Sequence, residues 1–198
     1  MFDTNLALCA LLLASAVTVL TTPVAARVLS PFAGIAQRPV LACIIVASCS
    51  LLVNVLAGVL VHYPIPAIRD EFSYLLAADT FSHGRLTNAT HPMWQHFSSA
   101  HIIHEPSYQS KYPPGQALTL AFGQIFTGHP ITGVWITLAL ASAAVCWMLQ
   151  AWLPKGWAFL GGLLMVANVG IFSLWGQTYW GGGVSLLGGA LLFGSLRR

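Results

Sequence analysis

Residues 40–62 read VLACIIVASCSLLVNVLAGVLVH, an apolar run of 23 residues without a charge. A bilayer crossing needs about 20 such residues, so this stretch is long enough to span. The same pattern continues outward in both directions. Residues 4–26, 39–68, 112–154 and 156–196 carry no Asp, Glu, Lys or Arg. Over all 198 residues, 57% are apolar and 7% charged, and the mean hydropathy is +0.75. Soluble domains carry about 25% charged residues, so this chain lacks the polar surface that a water-soluble globule needs. A net charge of +3 spread over the chain also excludes nucleic-acid binding through a basic face. The composition is that of an integral membrane protein.

The expected fold is all-α, a polytopic helical membrane protein with five crossings and short interfacial helices in one extracytoplasmic loop. Asn5–Thr22 reads as the first crossing rather than a secretory leader, because Asp3 is the sole charge before Arg27 and leaders begin with Lys or Arg. Val40–His62 is the second crossing, followed by Ile131–Gln150, Trp157–Trp175 and Gly183–Leu196. Residues 117–126 are apolar but lie between Pro113-Pro114-Gly115 and Gly128-His129-Pro130, a length more typical of an interfacial or re-entrant helix. If they do not cross, Arg27, Arg38, Lys155, Arg197 and Arg198 all fall on the cytoplasmic side, as basic residues prefer. The chain then divides into two N-terminal crossings (1–62), an extracytoplasmic loop with juxtamembrane helices (63–130) and three further crossings (131–198). The expected location is the cell membrane, as a multi-pass protein.

Small residues at Gly161-Gly162, Ser185…Gly189 and Ala190…Gly194 suit close helix packing. Gly181-Gly182-Gly183 reads as a turn before the last helix, since it lacks the Lys and Ser/Thr of a phosphate loop. Cys9, Cys43, Cys49 and Cys146 fall in the apolar runs without paired spacing and read as inert fillers. Asn88-Ala89-Thr90 matches the glycosylation pattern.

Chemistry concentrates between the second and third crossings. Arg69, Asp70, Glu71, Asp79, Arg85, Glu105 and Lys111 lie there, with His83, His91, His96, His101 and His104. Ile68–Ser82 has helical periodicity, with Ile68, Phe72, Leu75, Leu76 and Phe81 apolar. Such a helix lies on the membrane surface and presents Asp70, Glu71 and Tyr74 together near its first turn. The two carboxylates either offset the helix dipole or serve as a general base or cation site. Lys111, in Ser110-Lys111-Tyr112-Pro113-Pro114-Gly115, is either a snorkelling anchor or a point charge for a phosphate. His101 and His104, beside Glu105, would share a face if helical and hold a divalent ion; a cluster contacting an acceptor is the alternative reading.

Asp70-Glu71-Phe72-Ser73-Tyr74 followed by a polar outward loop, Lys111-Tyr112-Pro113-Pro114-Gly115 and a short apolar helix ending in Gly-His-Pro resembles the GT-C membrane glycosyltransferases. The likeness is to the group of protein O-mannosyltransferases and aminoarabinose transferases, and it covers residues 40–198. It implies transfer of a sugar from a polyprenyl phosphate to an acceptor glycan, lipid or protein on the outer side of the membrane. Asp70 would be the acidic active-site residue, acting as general base or acceptor-positioning group. Glu71 would support it or help hold a divalent cation, the one cofactor suggested. Lys111 would lie near the lipid phosphate, with Tyr74 and Tyr112 as substrate-binding residues.

Members often carry a further acidic residue near a segment corresponding to 173–180. Here that segment offers Gln177, Tyr179 and Trp180 instead. Members also continue through more helices, so the chain is expected to be the N-terminal portion of a longer enzyme. The alternatives are a truncated, non-catalytic membrane subunit and, less in keeping with charge-free spans, a solute transporter using the histidine-rich loop.

Overall fold

The computed structural model describes residues 32–198, so the expected first crossing, Cys9 and Arg27 lie outside the described residues. The chain is mostly helical. Helix α1 covers Pro39–Leu56 and runs on through a π-helical turn, Ala57–Val61. Pro39 opens it, where a missing N–H costs nothing. Helix α2 covers Arg69–Ser82, α3 Pro114–Thr127 and α4 Ile131–Trp152. Helix α5 covers Lys155–Ala167 and ends in a second π turn, Asn168–Phe172; α6 covers Gly182–Ser195. Among the described residues, two helices are long and apolar enough to cross a membrane, Pro39–Val61 and Ile131–Trp152. Both agree with the sequence expectation to within a residue or two.

Helix α4 is the centre of the bundle. Its apolar span is 67% buried, against 22% for that of α1, and α1, α3, α5 and α6 all pack on it. Helix α1 instead turns Val40, Ile44, Leu52, Val59 and Leu60 outward. An exposed stripe of that kind needs lipid or another apolar partner to cover it.

Cross-contacts sort the helix ends. Gln150 donates to the Pro39 carbonyl (3.1 Å), Lys155 to that of Gln37 (3.4 Å) and Arg198 to that of Trp147 (2.8 Å). The start of α1, the end of α4, the start of α5 and the chain end after α6 therefore share one basic end of the bundle. At the other end, both termini of α3 are tied to the chain leaving α1. Gln116 donates to the Tyr179 carbonyl, the Tyr179 hydroxyl donates to the Pro64 carbonyl, and His129 Nδ1 pairs with the Tyr63 hydroxyl at 3.0 Å. Helix α3 thus begins and ends at the same end of the bundle.

The small-residue expectation holds in part. Side chains of Cys146 and Val46 close over Gly162, and Trp147 lies over Gly194, whereas Gly188 and Gly189 face open space. Helices α3 and α4 approach closely, where a methyl on Gly133 would overlap the Thr119 carbonyl and one on Gly123 would come within 2.6 Å of the Gly133 nitrogen. Gly128, with φ of 77°, closes α3 in the left-handed conformation that glycine adopts freely.

The loop after α2 adds a pair of two-residue strands to the otherwise helical fold. Ile102–Ile103 (β1) pairs antiparallel with Gln109–Ser110 (β2), in the register Ile102 to Ser110, and Asn88 bridges Tyr108. The Asn88 amide donates to Thr80 Oγ1 at 2.7 Å, and the Thr90 hydroxyl donates to the His104 carbonyl. Both polar ends of the glycosylation pattern are thus used as loop anchors.

Replacing Gly133 by Ala should weaken the α3–α4 contact by about 1–3 kcal/mol, the usual cost of overpacking. Thermal unfolding of the detergent-solubilised protein reads this as a lower Tm. Gly188→Ala, in open space, should leave Tm unchanged or raised.

Candidate active site at the loop–helix junction

Helix α2 has Ile68 at its N-cap, a residue with no side-chain acceptor for the free N–H groups of a helix start. Glu71 takes that role. Its Oε2 accepts from the backbone N–H of Ala67 (2.8 Å) and Ile68 (3.1 Å), while Oε1 accepts from that of Tyr179 at 2.9 Å. Glu71 is 2% exposed. Burying a carboxylate is costly unless donors replace water, and three N–H groups do so here. Gln116 and Tyr179 complete the arrangement; no motif marks Gln116 in the sequence, and Tyr179 stands there only as a member of the segment 173–180. Burial, with Tyr63 and Glu71 nearby, pushes the Tyr179 phenol up to about 12.

Asp70 points elsewhere. Its Oδ1 lies 2.8 Å from His101 Nδ1, and the same nitrogen is 2.7 Å from the Tyr112 hydroxyl. The Tyr112 ring stacks on Tyr74 with centroids 4.7 Å apart, and the Lys111 ammonium sits 5.3 Å from the Tyr112 ring centre. That ammonium also donates to the Ala100 carbonyl at 2.7 Å. The loop is held on α2 by Ser73, which donates to the His101 carbonyl (2.6 Å) and pairs with Ser110 Oγ (2.7 Å). Residues at the start and end of the loop are therefore brought side by side.

The sequence expectation that Asp70, Glu71 and Tyr74 share one face is corrected. Consecutive helical residues project about 100° apart. Asp70 and Tyr74 face the folded loop, while Glu71 faces the bundle. His101 and His104 separate as well, because the segment is extended rather than helical. His104 is buried, stacked on Trp94 at 5.6 Å and close to Tyr108. Among the described residues, no set of three or more His, Cys, Asp or Glu side chains gathers to hold a metal ion. One carboxylate, an imidazole, two stacked phenols and one ammonium remain at the junction, partly open to solvent. This set can move a proton and hold an anion.

Electrostatics follow from Asp70. Partial burial and then the hydrogen-bonding, negatively charged Asp70 push the Tyr112 phenol up to about 12. Burial and the same charge raise that of Tyr74. No protein-family model, curated protein or solved structure matches the chain.

Two outcomes are expected. Glu71→Gln turns an NH2 toward backbone donors and should destabilise the protein by about 1–3 kcal/mol, read as a lower Tm, with Asp70→Asn much milder. An anion opposes phenolate formation, so the Tyr112 step, isolated as the absorbance difference between wild type and Tyr112→Phe, should lie near pH 12. In Asp70→Asn it should fall toward the ordinary 10.0. The stabilisation tied to the raised value is complete below about pH 10 and is lost as pH rises through about 12.

Proposed function

We propose that the protein transfers a glycosyl group from a polyprenyl-phosphate-linked donor to an acceptor at the extracytoplasmic face of the cell membrane. The observation that carries this reading is the contact chain from Asp70 through His101 and Tyr112 to Lys111, which joins two ends of a loop 41 positions apart (Asp70 to Lys111). A lipid-borne donor cannot leave the bilayer, so its chemistry must occur where the apolar helices meet the polar loop. A polyprenyl phosphate departs as an anion, and a cation placed there stabilises the charge that develops. An acceptor hydroxyl must lose a proton, which a nearby basic group assists. Lys111 suits the first task and the Asp70 end of the chain the second. Tyr74 and Tyr112 offer a stacked aromatic surface between them on which a sugar ring can lie.

The topology that fits is five crossings with the N-terminus outside. Helices α1, α4, α5 with its connector, and α6 each run between the two ends of the bundle, and the run at 5–22 would add the fifth. Helix α3, anchored at both termini beside Tyr63, Pro64 and Tyr179, stays at the interface. Arg38, Lys155, Arg197 and Arg198 gather at the end opposite Asp70. Under the preference of Lys and Arg for the cytoplasmic side, that end faces inward and the loop outward.

The test is sugar transfer by the full chain in membrane vesicles supplied with a polyprenyl-phosphate sugar. Asp70→Asn should lower transfer by about 100-fold or more. Lys111→Ala should lower kcat by about 100-fold, with both variants accumulating as wild type does. Undiminished transfer by Asp70→Asn would remove the carboxylate from the reaction. A wild-type chain that transfers no sugar would favour the non-catalytic subunit instead.

A further inference from the structure

We propose that the proton acceptor at this site is Nε2 of His101, and that Asp70 acts through it as a positioning residue. The proposal rests on the glycosyl-transfer reading above and names the base that the reading leaves open.

The argument starts from one nitrogen with two short contacts. His101 Nδ1 lies 2.8 Å from Asp70 Oδ1 and 2.7 Å from the Tyr112 hydroxyl. A carboxylate can only accept. Nδ1 therefore carries the hydrogen and donates it to Asp70, with the Tyr112 hydroxyl beside the same nitrogen. In a neutral imidazole with hydrogen on Nδ1, Nε2 keeps its lone pair. Among the described residues no hydrogen bond occupies Nε2, and the His101 side chain is 23% exposed. A ring tethered by a carboxylate at one nitrogen and open at the other is the arrangement that lets histidine take a proton from a hydroxyl.

The surroundings keep the ring in place without using Nε2. Residue 101 is fixed through its backbone, its carbonyl accepting from Ser73 Oγ (2.6 Å) and the Lys111 N–H (3.4 Å). The ring meets Asp70 from α2 and Tyr112 from the loop end, and Tyr74 and Lys111 lie beyond, against the Tyr112 ring. Lys111, across the Tyr112 ring, is on hand for the phosphate rather than for the base.

The step balances as follows. The acceptor O–H bond breaks and its proton goes to Nε2. The acceptor oxygen forms a bond to the anomeric carbon of the sugar, and the bond from that carbon to the phosphate oxygen breaks. Its electron pair leaves on the polyprenyl phosphate.

The experiment uses the full chain in vesicles with a polyprenyl-phosphate sugar and, separately, the full chain in detergent with 15N-labelled histidine. His101→Ala keeps the backbone anchors and should still accumulate. It should lose about 100-fold or more in transfer rate, and added imidazole should restore part of that rate. The 15N spectrum of wild type should show hydrogen on Nδ1 of His101, shifting toward Nε2 in Asp70→Ala. Wild-type rates in His101→Ala, a loss that imidazole does not restore, or hydrogen found on Nε2 in wild type would each overturn the proposal while leaving glycosyl transfer standing. A wild-type chain that transfers nothing would overturn both readings together.

Discussion

Three backbone N–H groups converge on the carboxylate of Glu71, two from the chain entering α2 and one from Tyr179 over a hundred positions away. The helix dipole adds to these donors, since Glu71 sits in the first turn where negative charge is favoured. The consequence is mechanical. Tyr179 is itself bonded through its hydroxyl to Pro64 and through its carbonyl to Gln116. One side chain therefore fixes the exit of α1, the start of α2, the start of α3 and the connector before α6 relative to one another. Everything at the junction, including the direction of Asp70, inherits its geometry from that clamp.

Such a clamp explains which parts of the fold are legible in the sequence. The spans Pro39–Val61 and Ile131–Trp152 are set by local features: long charge-free runs, with proline or glycine at their margins. These need no tertiary information. The end of α5 is different. Apolar periodicity carries it to Trp175, yet the helix loosens into a π turn at Asn168–Phe172 and the chain becomes irregular before Tyr179. Gly170 packs on Val53, Gly176 fits against Asn54, and Trp135 donates to the Gly176 carbonyl at 2.8 Å. Contacts with α1 and α4 decide that conformation, and nothing in the local run announces them. The two-residue strands at 102–103 and 109–110 are likewise too short for alternation to show.

The candidate site was half legible for the same reason. Asp70, Lys111 and the two tyrosines stand in motifs that a linear reading can find, and the structure sets them along one contact chain. His101 stands in the sequence as one of several loop histidines, and its place depends on whether residues 101–104 are helical or extended. Extended backbone sends it to Asp70 and sends His104 to Trp94 and Tyr108. Pairing with β2, together with the Ser73 hydrogen bonds, settles that choice.

The adjacency of Asp70 and Glu71 now has a physical reason. On a helix lying along the end of a bundle, neighbours about 100° apart cannot face the same way, so an acidic pair divides between interior and loop. The longer side chain goes inward, where its extra methylene lets one oxygen reach back to the helix start and the other reach across to Tyr179. Full burial there is tolerable because backbone donors replace water. The shorter one stays with its side chain 33% exposed and one oxygen on an imidazole, so its charge remains available to the loop. Exchanging the two residues would put a carboxylate too short to bridge both segments inside, and an over-long one against His101. The order Asp-Glu, rather than merely two acids, is therefore what lets one residue build the junction and the next one use it.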